Sequence, residues 1–226
     1  HSLYKAAVEI LHAYHLRLQK TPPPLAIRES FLDNLLERIH ADKLDSAYTT
    51  PITPACLPDD AVEVLTGLCL ARRSVRSFNE KKIDFSLIEK AVSIAQLSPS
   101  ACNRQPWHIH TYEDRETIDG ILALQKGSGG FSHTVPLLAV ITSDMYSFLD
   151  LSERMEPALD AGLFLMTFLL ALQSHGLSSC CLNWCVSPTV NRQGHKFGNI
   201  PDNEKIVACL AIGYAVDDVI VPRSAR

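Results

Sequence analysis

Three guanidiniums and two hydroxyls fall within six residues in Arg72-Arg-Ser-Val-Arg-Ser77. Arginine offers forked, charge-assisted donors that match phosphate oxygens, so Arg72, Arg73, Ser74 and Arg76 form a candidate phosphate grip. The competing reading of the same residues is a solvated basic turn. A second run, Ser98-Pro-Ser-Ala-Cys-Asn-Arg-Gln-Pro-Trp107, is dense in donors and acceptors: Ser98, Ser100, Asn103, Arg104 and Gln105. Pro99 and Pro106 fix φ and restrict the residue before each, and polar groups on a stiff loop suit ligand binding. The alternative is an ordinary helix-to-strand connection. Arg223 and Arg226 make a second basic pair near the end. They join the first cluster only if the fold brings the two ends of the main body together; otherwise they are tail charges.

Other motifs carry less chemistry. Gly127-Ser-Gly-Gly130 follows a helical pattern rather than a strand, and it lacks both the third glycine of a dinucleotide fingerprint and a Lys-Ser/Thr pair. It reads as a mobile loop, bordering a pocket if it has a role. Cys180, Cys181 and Cys185 lie near His175 and His195 but show no Cys-x-x-Cys spacing. They read as small buried hydrophobes rather than zinc ligands. His108 and His110 share one strand face with no third ligand at metal spacing, so no metal site is expected.

The elements that must position these residues follow from periodicity. Apolar spacing predicts helices over residues 1 to about 45, interrupted by Thr21-Pro-Pro-Pro24, and Asp45 to Asp60 reads as a proline-bearing linker. The boundaries are an N-terminal helical extension and linker, 1–60, and a main body, 61–226. Within the latter, helical spacing covers Ala61 to Ala71. A Ser86/Glu89 capping box opens a helix through Ala95, a strand spans 107–112, and a helix lies near Glu116–Gln125. Val135 to Thr142 reads as an apolar strand. Pro157 opens a helix, Ala158 to Gln173, that is apolar on nearly every side and so belongs in the core or at a subunit interface. Ser178–Val186 reads as a buried strand, Ser187-Pro188 starts another helix, and Lys205–Ala215 is the last strand. Interleaved strands and helices give an α+β class, with helices around one sheet.

Composition narrows the setting. The chain has 226 residues, 46% hydrophobic and 20% charged, with net charge −4. That is enough for a sizeable core, and it provides no basic field for nucleic acid or an anionic membrane surface. Seven cysteines without framework spacing suggest reduced thiols and a cytoplasmic setting. The front does not read as a signal peptide, and the absent initiator Met suggests trimming. The most apolar run, Ala161 to Leu172, is shorter than the ~20 residues of a membrane span, with Asp160 capping it.

Five motifs in order resemble the FMN-dependent nitroreductase family across about residues 65 to 226. They are Arg72–Phe78, Ser98–Trp107, Asp160-Ala-Gly-Leu-Phe164, Gly176–Trp184 with Cys181 inside it, and Ile212-Gly-Tyr214. The resemblance implies a three-layer α+β fold with a central, mainly antiparallel sheet. It also implies an intertwined homodimer with FMN between the subunits and NADH or NADPH as co-substrate. By position, Arg72, Arg73 and Ser74 match phosphate and ribityl contacts, and Arg76 matches the residue reaching the flavin pyrimidine edge. Ser98, Pro99, Ser100, Asn103 and Gln105 match the polar loop offered by the neighbouring subunit. Cys181, Leu182, Asn183 and Trp184 lie where the family's backbone passes flavin N5 and O4, and Arg223 and Arg226 match C-terminal phosphate contacts.

The same resemblance implies that FMN carries the chemistry, with no catalytic side chain, and that the acceptor is a nitro compound, quinone or similar small molecule. Asn183 departs from the acidic residue or Gly common in the family. The Tyr/Lys lid of the iodotyrosine deiodinase branch has no counterpart. Two other readings stay open: an FMN oxidase or dehydrogenase of a metabolite without nicotinamide, and a flavin-binding regulatory module governed by residues 1–60.

Overall fold

The computed structural model describes residues 57–221. The helices read before residue 45, the linker up to residue 56, and Arg223 and Arg226 lie outside the described residues. The chain divides into units 1–58 and 59–226, and the second is described here. Its elements are α1 (Ala61–Ala71), α2 (Phe85–Ala95), β1 (Trp107–Tyr112), α3 (Arg115–Leu124), β2 (Leu137–Asp144), α4 (Glu156–Ser174), β3 (Ser178–Asn183), α5 (Pro188–Gly198) and β4 (Glu204–Gly213).

Helix starts follow capping chemistry. Asp114 accepts from the N–H of Thr117 at 2.8 Å to open α3, and Ser187 does the same for Val190 at 3.4 Å to open α5. The α2 start corrects the Ser86/Glu89 capping box. The cap is Asp84, whose Oδ1 accepts from the N–H of Ser86 at 3.0 Å, and its carboxylate also suits the positive end of the helix dipole. Asp160 corrects a second expectation. Because α4 begins at Glu156, Asp160 lies inside the helix and caps nothing.

The four strands run antiparallel in the order β1-β2-β4-β3. Period-two alternation gives each strand two faces. One carries Trp107, Leu137, Ile141, Leu210 and Ile212 onto Ile88 and Ala91 of α2 and Phe164, Phe168 and Leu172 of α4. The other carries Leu138, Val140, Cys180, Leu182 and Cys209 onto Ile118, Ile121 and Leu122 of α3. The result is the expected three-layer α+β arrangement, with Trp107 stacked on Phe164 at 5.0 Å between ring centroids.

The helix α4 divides its apolar residues. Ala161, Phe164, Phe168 and Leu172 are fully or nearly fully buried, whereas Leu159, Leu163 and Met166 are exposed. The helical stretch Leu151–Ser174 is longer than the run read from the sequence, and by length and composition it is apolar enough to cross a membrane. Half of its most apolar window is already buried in the protein core.

Two antiparallel registers place a charged group inside the second face. Between Ile141 and Thr142 the β2–β4 register shifts by one residue. At the end of that ladder Glu204, only 7% exposed, accepts from Thr142 Oγ1 at 2.5 Å and meets His110 Nε2 at 2.6 Å. Burial pushes the Glu204 pKa up, and the hydrogen bonds from Thr142 and His110 outweigh this, leaving it below its usual 4.5. The contribution of Glu204 to stability is therefore complete above the unfolded-state value of about 4.3. It disappears as pH falls through the lower folded-state value. Glu204→Gln is expected to lower the melting temperature by roughly 2–8 °C at pH 7. The gap from the parent protein should narrow progressively in melts taken below that unfolded-state value, and a gap unchanged by acid would contradict this account.

Candidate functional site

The basic run owes its position to two buried plugs. Arg72 ends α1 in extended backbone, and Val75 and Phe78 are buried at 6% and 5% exposure. The chain entering Val75 lies along β3: Ser74 bridges Ser179 in parallel, and the N–H of Val75 donates to Ser179 O at 3.0 Å. Arg72, Arg73 and Ser74 are half-buried and Arg76 is exposed. Arg73 Nη1 donates to the carbonyl of Arg72 at 2.7 Å, and Arg76 Nη1 donates to that of Ser74 at 3.4 Å. Among the described residues, none of these arginines meets a carboxylate. Their charge reaches β3: burial raises the Cys180 thiol above its usual 9.0, and Arg76 and Arg72 oppose the rise. The basic turn and the 180–184 segment, far apart in sequence, thus share one edge of the sheet.

The strand β3 ends at Asn183, and Trp184 follows it. Leu182 and Trp184 are buried. The indole Nε1 of Trp184 donates to Asn191 Oδ1 at 2.8 Å, and its ring packs so closely on Gly194 that a Cβ there would lie 2.4 Å from Cζ2. Asn183 is exposed; its Oδ1 accepts from the N–H of Cys185 at 3.3 Å, and its carbonyl accepts from Gln125 Nε2 at 3.1 Å. Three cysteines expected to be buried divide here. Cys180 is buried, while Cys181 and Cys185 are exposed, because strand alternation turns Cys181 away from the core and Cys185 lies past the strand end. Among the described residues no His/Cys/Asp/Glu group could hold a metal. The Gly127–Gly130 segment differs from the expected loose loop: Ser128 is 1% exposed and donates to Leu122 O at 3.0 Å, and Phe131 is buried.

The second polar run is a strained loop with firm supports. Cys102, Asn103 and Gln105 have φ of 52°, 52° and 49°, a left-handed conformation costing roughly 1–2 kcal/mol for each non-glycine residue. Such strain persists only where the surroundings over-determine it. Ser98, 6% exposed, donates to Thr167 Oγ1 at 2.7 Å. The N–H of Ala101 donates to Asp160 Oδ1 at 3.1 Å. Arg104 donates to Glu153 at 2.6 and 3.1 Å and to Ser147 O at 2.8 Å, and lies over the Phe148 ring. Ser100 Oγ accepts from the N–H of Gln105, whose side chain donates to Asn103 Oδ1 at 3.2 Å. Asn103 and Gln105 are left exposed. Arg104 had read as one of the ligand-facing polar groups and is instead the brace behind them. Asp160 is the support that sequence reasoning missed.

Strand register shows which halves meet within one chain. The Trp107 end of β1 is level with Ser143 and Lys205, whereas Ser179 is level with Ile212 and Leu137, on the opposite edge. Six residues along the strands and four strand spacings across them, counting the Ser74 bridge, separate Trp107 from Ser74 by about 28 Å. One chain therefore presents the strained loop and the basic run at opposite corners of the sheet. The N–H of Val216 donates to Ser77 O at 3.2 Å, and Ala215 bridges Phe78.

A family model described as "Nitroreductase family" matches residues 70–129 and 122–214. The chain is 26% identical over 223 residues to a 4-nitrobenzoate reductase of Pseudomonas putida, covering 74% of this chain and 90% of that protein. It is 28% identical over 199 residues to an iodotyrosine deiodinase of Drosophila melanogaster, covering 72% and 66%. An FMN-dependent nitroreductase structure from Clostridium difficile R20291 superposes with a TM-score of 0.61 at 20% identity, covering 71% of this chain and 92% of that one. At that identity the likeness is one of fold.

Because Arg104 braces three left-handed residues, Arg104→Ala is expected to release the loop without unfolding the sheet. Hydrogen exchange of amides 98–106 should accelerate by at least about tenfold while that of β2 and β4 stays unchanged. Uniform acceleration across the sheet would show that Arg104 supports the fold rather than the loop.

Proposed function

The chain belongs to the nitroreductase family, and from that membership we propose that it is an FMN-dependent oxidoreductase drawing on NADH or NADPH. The acceptor is a nitro compound, quinone or similar small molecule, reduced by two electrons. The observation that carries this reading is the pair of opposite corners. A cluster of phosphate-type donors and a braced polar loop are each half of a flavin site, and two copies of the chain can supply both halves of one.

The residues present fit FMN. Arg72, Arg73 and Ser74 offer forked and hydroxyl donors to a phosphate and ribityl chain. Arg76, two residues after Ser74, offers positive charge to the pyrimidine edge, where charge accumulates on reduction. Arg223 and Arg226 follow a tail tied back at Ser77 and would add to the phosphate grip. The backbone of Cys181, Leu182, Asn183 and Trp184 forms the wall beside the reactive edge. From a second copy, Ser98, Pro99 and Ser100 shape the opposite wall, with Asn103 and Gln105 as its polar contacts. When bound, FMN supplies the redox chemistry, taking two electrons from nicotinamide and passing them to the acceptor. The chain itself binds, orients and excludes water.

A homodimer is supported by exposed apolar residues around α4. Leu97, Leu151, Met155, Leu159, Leu163 and Met166 are 39–84% exposed, which marks an association surface. Residues 1–60 form a separate extension in this reading, and the free thiols among the described residues support a cytoplasmic setting. The relative from Pseudomonas putida supports a nitro-group acceptor.

The purified protein is expected to take up FMN and absorb near ~450 nm, and NADH or NADPH should bleach that band without oxygen. A protein that takes up no FMN overturns the reading. Bound flavin that nicotinamide leaves oxidised shifts the assignment to a metabolite oxidase. Leu163→Arg, placing charge on the exposed face, is expected to give a monomer by sedimentation. FMN affinity should fall by at least about tenfold, since half of each site departs with the partner. A monomeric variant that binds FMN as tightly as the parent would refute the shared site.

A further inference from the structure

Gln125 stands immediately after α3, and its side chain is 5% exposed. Its Nε2 donates to the carbonyl of Asn183 at 3.1 Å, across 58 residues of sequence. Its Oε1 is buried without a hydrogen-bond partner. The amide also lies against the backbone of Gly127: a Cβ at that position would lie 3.1 Å from Nε2 and 3.3 Å from Oε1. A buried amide with one satisfied and one unsatisfied end is a poor stabiliser, because an orphaned acceptor costs about 1–3 kcal/mol and a net hydrogen bond returns about 1. A Leu or Met of similar volume would serve packing better. What Gln125 does that an apolar residue cannot is hold the Asn183 carbonyl at a fixed height.

Trp184 pins the same strand end from the other side through Asn191 and Gly194. The strand end is thus clamped between α3 and α5, with Gly127 leaving room for the clamp. We infer that Gln125 is a positioning residue, which sets the Asn183–Trp184 backbone against the reactive edge of the bound flavin. This rests on the proposed function, which sets that strand end beside the cofactor. The Gly127–Phe131 segment then reaches the site through Gln125 and does not have to touch the ligand.

Gln125→Met removes the donor and the orphaned acceptor together. The variant is expected to melt at or above the parent temperature and to bind FMN within about threefold of the parent by fluorescence titration, since the phosphate grip is elsewhere. The visible band of the bound FMN should shift, and its anaerobic reduction by NADH should slow by at least about tenfold. Gly127→Ala, at an exposed position, pushes a methyl against the amide from outside and is expected to shift the band in the same way. It serves as the test if Gln125→Met fails to fold. FMN bound by both variants with an unaltered band and parental reduction rate overturns the inference while leaving the proposed function standing. A melting temperature that falls while band and rate are unchanged assigns Gln125 to packing and likewise overturns it. Failure of the parent protein to bind FMN removes both.

Discussion

The antiparallel register of β2 against β4 is the constraint from which the rest of the architecture follows. Because side chains alternate with period two, a slip of one residue would exchange Leu137, Ala139 and Ile141 with Leu138 and Val140 between two helical layers, each packed to fit the other set. The shift between Ile141 and Thr142 is confined to the end of the ladder, where it brings Glu204 within reach of Thr142 and His110. A carboxylate that is satisfied only in the correct register makes alternative pairings costly. With the central pair fixed, β1 and β3 occupy opposite edges, and the polar loop and basic run are distributed to opposite corners.

Support of the loop illustrates a division of labour among residues of similar chemistry. Left-handed backbone at Cys102, Asn103 and Gln105 is unfavourable for each, and the chain contains no glycine there to relieve it. The compensating interactions come from Asp160 on α4 and from the Arg104–Glu153 pair, whose side chains are 14% and 23% exposed. A forked guanidinium against a carboxylate in partial burial holds a geometry better than an exposed pair does. The rigid long helix thereby serves the core with one side and the loop with its first turns.

Much of this was legible in the sequence, for identifiable reasons. Helices at 61–71, 115–124 and 156–174 and strands at 107–112 and 204–213 follow apolar periodicity and proline or serine punctuation, which are local signals. The α+β class and the two polar runs were read from residue types and order, and the three-layer arrangement was implied by the resemblance of five ordered motifs. The failures came from competing local patterns and from partners distant in sequence. Asp84 was missed as a cap because Ser86 and Glu89 offered an equally good local pattern two residues later. Asp160 was misread because its partner, Ala101, is 59 residues away. Cys181 and Cys185 were grouped with Cys180 although strand alternation separates the adjacent pair. Gln125 carried no sequence signal: a glutamine after a helix looks like surface until its amide is found under Asn183.

The corner-to-corner placement has a genetic consequence. If two subunits each lend one half to every pocket, a dimer contains two pockets, each a mixture of both chains. A copy damaged in the basic run and another damaged in the strained loop would, when paired, confine both lesions to one pocket and leave the other whole. Alleles defective alone would restore partial function together, whereas two lesions on the same corner would not. Across a population of such alleles, dominance would track which edge of the sheet a residue occupies, not how near it lies in sequence.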